Sequence, residues 1–95
     1  MSSREAYEKK LQAQLDEWHA EIDKLRAKAK KASAQAQIDA ERHVATLESK
    51  RNEAMRQMET FRQAGEGAWT ELRAGLEMAW QDLAEAVKSA RSKFD

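Results

Sequence analysis

Proline and cysteine are both missing from this 95-residue sequence, and glycine occurs only three times. Proline is the residue that most reliably ends or kinks a helix, so few positions oblige a helix to stop. Without cysteine there is no disulfide framework and no thiolate chemistry, which fits a reducing compartment. No apolar run approaches the roughly 18 residues of a membrane span, and the opening MSSREAYEKK lacks the apolar segment of a signal peptide. We therefore expect a cytoplasmic protein.

An excess of one charge sign is also missing. The chain has 17 Lys plus Arg against 17 Asp plus Glu, so no overall field recruits nucleic acid or an anionic membrane. Charged residues make up 36% of the chain and hydrophobic ones 41%, a composition typical of a long helix or a coiled coil. We expect one helical coiled-coil domain over residues 1–95.

Apolar residues recur at steps of three and four, the spacing of a helical stripe. The stripe predicts an all-α chain with a long helix over about residues 3–63, a tight turn at 65–67, and a shorter antiparallel helix over about 68–93. Gly65 and Gly67 are expected at the turn because glycine tolerates positive φ. The stripe positions that we expect to form the seam of an oligomer are Leu11, Leu15, Trp18, Ile22, Leu25, Val44, Leu47, Met58, Phe61, Trp69, Leu72, Leu76, Trp80, Leu83, Val87 and Phe94.

The two predicted helices differ in length, and this difference raises a question of assembly. The second helix covers only residues near 37–64 of the first, so the stripe from Leu11 to Leu25 has no cover within a hairpin. Ser33 is a poor helix breaker, which favours a straight helix and an antiparallel dimer in which each N-terminal half enters the partner's hairpin. A bend near Ser33 would instead close a monomeric three-helix bundle.

Charges give an independent indication of register. In either arrangement the N-terminal half runs parallel to the second helix. This placement brings Arg4 near Glu71 and Glu77, and Glu21 near Arg91. Surface pairs of this kind contribute about 0 to 1 kcal/mol each, so they indicate register more than stability.

The densest run of one sign is KLRAKAKK, at residues 24–31. It is a candidate patch for an anionic surface such as a membrane. The spacing wraps the basic side chains around the helix, which favours a solvated face. The patch consists of Lys24, Arg26, Lys28, Lys30 and Lys31.

Catalytic and metal-binding patterns are not found. His19 and His43 each follow an aspartate by one helical turn, but the carboxylate-rich Glu-x-x-His pairs of helical metal proteins do not occur. No glycine-rich phosphate loop and no nucleophile with a base are present. We expect no enzyme activity, no cofactor and no bound metal, and we expect Trp18, Trp69 and Trp80 to anchor packing.

Two segments carry a resemblance to a known group. REAYEKKLQAQLDEWHAEIDKL at residues 4–25 and GEGAWTELRAGLEMAW at residues 65–80 resemble short bacterial coiled-coil proteins that are labelled stress-response proteins and have no established activity. The resemblance implies a helical fold, a bacterial origin and a cytoplasmic location. It brings no catalytic residues.

The leading hypothesis is a non-enzymatic, self-associating coiled-coil protein that acts through assembly or a protein partner. A homodimer is favoured, and a stress-related role is implied by the resemblance. The alternative is an amphipathic helical binder of a membrane or another hydrophobic or anionic surface. Nucleic acid is not favoured as a partner.

Overall fold

The chain folds into helices joined by short connections. A computed structural model describes the backbone of residues 3–94 and the side chains of that range except that of Phe94. These residues form three helices and no strand: α1 is Ser3–Lys30, α2 is Ala34–Gln63 and α3 is Trp69–Phe94. The predicted all-α class is confirmed, and the second predicted helix begins within one residue of its expected start.

The prediction of an uninterrupted helix over residues 3–63 is wrong. The chain leaves helical geometry at residues 31–33, here called the junction, where the backbone of Ser33 is extended (φ −60°, ψ 159°). The Oγ of Ser33 accepts a hydrogen bond from the N–H of Ala36 at 3.4 Å, so that Ser33 caps α2. A bend near Ser33, which the sequence offered as the alternative, is the observed geometry.

The break changes the shape of the molecule and covers the stripe of α1. A single helix over residues 3–63 would span about 90 Å, whereas the Cα atoms extend over 51 × 20 × 18 Å. Burying one large aliphatic side chain contributes about 1.5–3 kcal/mol, and α1 buries several. Together they outweigh the few backbone hydrogen bonds lost at the junction, each of which contributes about 0.5–1.5 kcal/mol net. In this single chain the buried side chains of α1 are Leu11, Leu15, Ile22, Leu25 and Ala29.

All three helices contribute to one apolar core. Two contacts along each pair identify the helix directions: Gln12 and Arg26 of α1 meet Arg62 and Glu48 of α2, respectively, and Lys50 and Phe61 of α2 meet Asp82 and Trp69 of α3, respectively. Successive helices are therefore antiparallel, and α1 is parallel to α3. The aromatic end of the core lies next to the turn between α2 and α3, where the Phe61 ring is 6.0 Å from that of Trp69.

The glycines differ from expectation. No glycine in the described range has a positive φ, and Ala64 ends α2 with extended backbone (φ −73°, ψ 144°). A Cβ added at Gly65 or Gly67 would meet nothing within 4 Å, and one added at Gly75 would make only an ordinary 3.9 Å contact. The turn glycines therefore act by their low helix propensity, and Gly75 does not admit a close helix.

Arg4 connects the start of α1 to the end of α2. Its Nη2 donates to the carbonyl oxygens of Phe61 at 2.5 Å and Ala64 at 2.7 Å, at the end of α2, where no further helical turn supplies donors. The Phe61 carbonyl also accepts from the N–H of Ala64 at 3.3 Å. The guanidinium also lies 5.2 Å from the centre of the Phe61 ring. Its carboxylate neighbours are Glu8 at 3.6 Å and Glu66 at 3.8 Å.

We expect Arg4→Met to destabilise the fold by about 1–2 kcal/mol, because charge-assisted hydrogen bonds to the carbonyls at the end of α2 are lost. The melting temperature, followed by circular dichroism, should fall by about 5–15 °C. The matched control is Arg56→Met, which removes an arginine that pairs with Glu53 and whose side chain is 74% exposed. An equal change in both variants would contradict the capping role of Arg4.

Candidate assembly surface

The predicted seam positions lie inside a single chain. Most are buried, whereas Trp18, Trp69 and Leu72 are half-buried and pack against the core. The side chain of Phe94 lies outside the described residues. Their role between copies stays a prediction. The buried members are Leu11, Leu15, Ile22, Leu25, Val44, Leu47, Met58, Phe61, Leu76, Trp80, Leu83 and Val87.

The surface between α1 and α3 is the one that α1 would have to leave in order to be exchanged. The indole N–H of Trp80 donates to the carbonyl oxygen of Leu11 at 3.3 Å, and the rings of Trp80 and Trp18 are 6.3 Å apart. Further along, Nε of Arg91 lies 3.1 Å from Oε1 of Glu21. The expected Glu21–Arg91 neighbourhood is therefore confirmed, together with the parallel register of α1 and α3.

A polar cluster closes the same surface near the start of α1. The Tyr7 hydroxyl donates to Oε1 of Glu77 at 3.0 Å, and Nε of Arg73 donates to the same oxygen at 2.9 Å. Burial, followed by the hydrogen bond to Glu77, raises the pKa of Tyr7. The hydrogen bond from Arg73, followed by that from Tyr7, lowers the pKa of Glu77. Glu77 thus contacts α1 through Tyr7, and the predicted Arg4 contact with Glu71 or Glu77 is replaced by the contacts of Arg4 with α2.

The surface between α1 and α2 carries polar contacts besides those of Arg4. Arg26 bridges Asp23 of its own helix at 2.9 Å and Glu48 of α2 at 2.6 Å. Near the other end, Nη2 of Arg62 donates to Oε1 of Gln12 at 2.7 Å. These contacts lie at the margin of the apolar core and set the alignment of α1 on α2.

The predicted anionic-surface patch is divided by the fold. Lys24, Lys30 and Lys31 are exposed, whereas Arg26 is engaged in ion pairs. Lys28 and Lys31 face a groove beside the junction, and Lys30 and Arg26 face a different one between α1 and α2. The patch is therefore not one flat basic face, in agreement with the wrapping that its spacing predicts.

Residues 3–94 hold no group of three or more His, Cys, Asp or Glu side chains that could bind a metal ion. Over the same range, no helix combines the length and the apolar character needed to cross a bilayer. His43 lines the groove beside the junction, and His19 lines a small depression between α1 and α2.

The junction is marked in the sequence by a signal at the end of α1 and the start of α2. α1 ends in a basic last turn with Lys28 and Lys30, where cations interact favourably with the helix dipole. Ser33 follows and caps the next helix. A basic last turn followed by a capping serine is a helix stop and start signal, and it favours a break more strongly than the modest propensity cost of one serine does.

Comparison with models of protein families, with curated proteins and with solved structures gives no match.

Proposed function

We propose that this protein is a non-enzymatic helical protein that acts through assembly, with α1 as the exchangeable arm. The junction straightens, α1 leaves its own α2 and α3, and its stripe enters the same surface on a second copy. The product is the antiparallel dimer that the sequence favours. The resemblance to bacterial stress-response proteins adds the expectation that the exchange is stress-related.

One observation carries the proposal: α1 is covered by the α2–α3 hairpin but is joined to it only through the junction at 31–33. A second copy offers α1 an identical surface, including the Trp80 indole N–H that donates to the Leu11 carbonyl and the Arg91 guanidinium that pairs with Glu21. Exchange of an identical element is a low-cost route to a dimer. α1 keeps every core contact, but it makes these contacts with the second copy and no longer with its own chain.

The energetic difference between the two forms lies in the junction. The closed form keeps the Ser33 cap and the turned backbone. The exchanged form gives up that cap and gains helical hydrogen bonds across 31–33. Because the core contacts are equal, protein concentration and the sequence of the junction decide the balance. A partner with a comparable apolar groove would take α1 in the same way.

The test uses the natural lack of cysteine. In the double variant Glu21→Cys and Arg91→Cys, the new thiols stand where α1 meets α3. A short bis-maleimide is added to monomer and dimer fractions separated by size-exclusion chromatography with light scattering. We expect cross-links within one chain in the monomer fraction and between two chains in the dimer fraction.

The matched control places cysteines in the hairpin itself, at Lys50 and Asp82, which are in contact across α2 and α3. These cross-links should stay within one chain in both fractions. A dimer in which the Glu21–Arg91 pair also links within one chain would be a face-to-face dimer without exchange. A mass independent of concentration, combined with a shift of tryptophan emission on anionic vesicles, would assign the stripe of α1 to a membrane surface and contradict the proposal.

A further inference from the structure

A groove lies beside the junction, at the opposite end of the core from the glycine turn. Its volume is about 580 Å³, within the range of roughly 300–1,000 Å³ that is usual for small-molecule sites. The lining combines alanine side chains with lysine, aspartate and histidine side chains. The lining residues are Lys28, Lys31, Ala32, Ala36, Asp39, Ala40, His43 and Lys93.

The groove follows from the distribution of side-chain size along the core. At the glycine turn the helices are separated by large rings such as Phe61 and Trp69. At the junction the buried core side chains include Ala29, Ala40 and Ala90. Large residues hold the helices apart at one end, and only small side chains lie between them at the other. Space that no core atom fills is therefore left near the junction. The result is an apolar floor with an open mouth.

The charges around this floor are mainly positive. Lys28, Lys31 and Lys93 come from the end of α1, the junction and the end of α3, and Asp39 is the one carboxylate that lines the groove among the residues the structure describes. Within the described part of the chain, Lys31 and Lys93 have no ion-pair partner. The ends of two helices that carry basic side chains thus converge on one apolar groove in a chain of zero net charge.

We propose that this groove binds a fatty acid as its carboxylate, with the chain on the floor formed by Ala32, Ala36 and Ala40 and the head group between Lys31 and Lys93. Each buried methylene contributes about 0.8 kcal/mol, so the alkyl chain supplies most of the affinity and the lysines supply orientation and selectivity. Inorganic phosphate matches the charge but leaves the alanine floor uncovered. This inference goes beyond the proposed assembly: it concerns the closed form, in which the junction is turned, and does not require that exchange occurs.

Calorimetric titration with decanoate tests the proposal directly. We expect saturable binding of one decanoate per chain, and affinities for butyrate and for decyltrimethylammonium that are each at least about tenfold lower. Butyrate keeps the carboxylate without the chain, and the ammonium compound keeps the chain with the opposite charge. Equal binding of the cationic compound would overturn the proposal, because the lysines would then select nothing. Equal binding of butyrate would overturn it as well.

Variants locate the binding. Lys31→Gln and Lys93→Gln should each weaken decanoate binding by about fivefold or more, and Ala36→Leu, at an exposed position, should weaken it by filling the groove. Lys24→Gln is the matched control, since Lys24 is exposed and does not line the groove. An equal loss in Lys24→Gln would overturn the proposal in favour of general surface charge. If Ala36→Leu changes the oligomeric mass and leaves decanoate binding intact, the groove belongs to a second copy, and the proposal fails.

Discussion

Replacing Ile22 by aspartate should unfold the protein at room temperature. Ile22 is 0% exposed in the part of the core that α1 shares with the hairpin. The change removes its burial, which for large-to-small core substitutions costs about 2–5 kcal/mol, and adds the cost of a buried carboxyl without a partner. A native domain of 95 residues is stable by about 5–14 kcal/mol in total, so the loss is comparable to the whole stability. We expect most of the helical circular dichroism signal to vanish, and Leu15→Asp to behave alike because Leu15 is 3% exposed.

The chain contains its own matched control for this change. Its other isoleucine, Ile38, is 58% exposed, so Ile38→Asp makes the same chemical substitution on the surface of α2. This variant should stay within about 0.5 kcal/mol of the parent in urea unfolding. If Ile22→Asp keeps the parent's midpoint and solution mass, Ile22 does not lie in the core, and the assignment of the α1 stripe is wrong.

The burial of these positions was predictable because it depends only on the spacing of apolar residues along the helix. Steps of three and four put Leu11, Leu15, Ile22 and Leu25 on one side of a helix whatever covers them, and their burial follows. Gly65 and Gly67 likewise marked the end of the first predicted helix, which coincides with the end of α2 at Gln63. Spacing does not determine which hairpin covers the stripe. The groove of the hairpin in the same chain and that of a second copy present the same side chains.

The break at the junction depended on smaller energies that compete closely. One serine lowers helix propensity by only a few tenths of a kcal/mol, whereas the cover it permits buries several large side chains of α1. Tertiary burial therefore overrode the local preference. The groove beside Ala36 was equally invisible in the sequence, since the alanines there predict close helix contact until the large rings of Phe61 and Trp69 are seen to hold the other end apart. The positive charge on its rim was visible as a run of lysines, but Lys93 joins that run only in the folded chain.

A proline at position 34 should hold the protein in the closed form. Ala34 is the first residue of α2, where proline is tolerated because the missing N–H has no helical partner. Proline also favours extended backbone in the residue before it, and Ser33 is already extended. In a straight helix over 3–63 the same proline would lie in the interior and cost about 3 kcal/mol. Two chains make this about 6 kcal/mol per exchanged dimer, so Ala34→Pro should weaken dimerisation by about 10⁴-fold while leaving the melting temperature of the monomer nearly unchanged.

The opposite change at the neighbouring residue should favour exchange. Ser33→Ala removes the N-cap of α2 in the closed form and raises the helix propensity at position 33 in the straight form. Since the Oγ to N distance is long, at 3.4 Å, we expect only about 0.5 kcal/mol per chain, or about a fivefold tighter dimer. Sedimentation equilibrium over a wide concentration range measures both constants, and Ala34→Ser controls for a change at position 34 without proline. Because the two substitutions touch no core residue, opposite shifts follow only if the junction straightens on assembly. A dimer constant that neither substitution moves would mean that α1 stays folded on its own chain when copies meet.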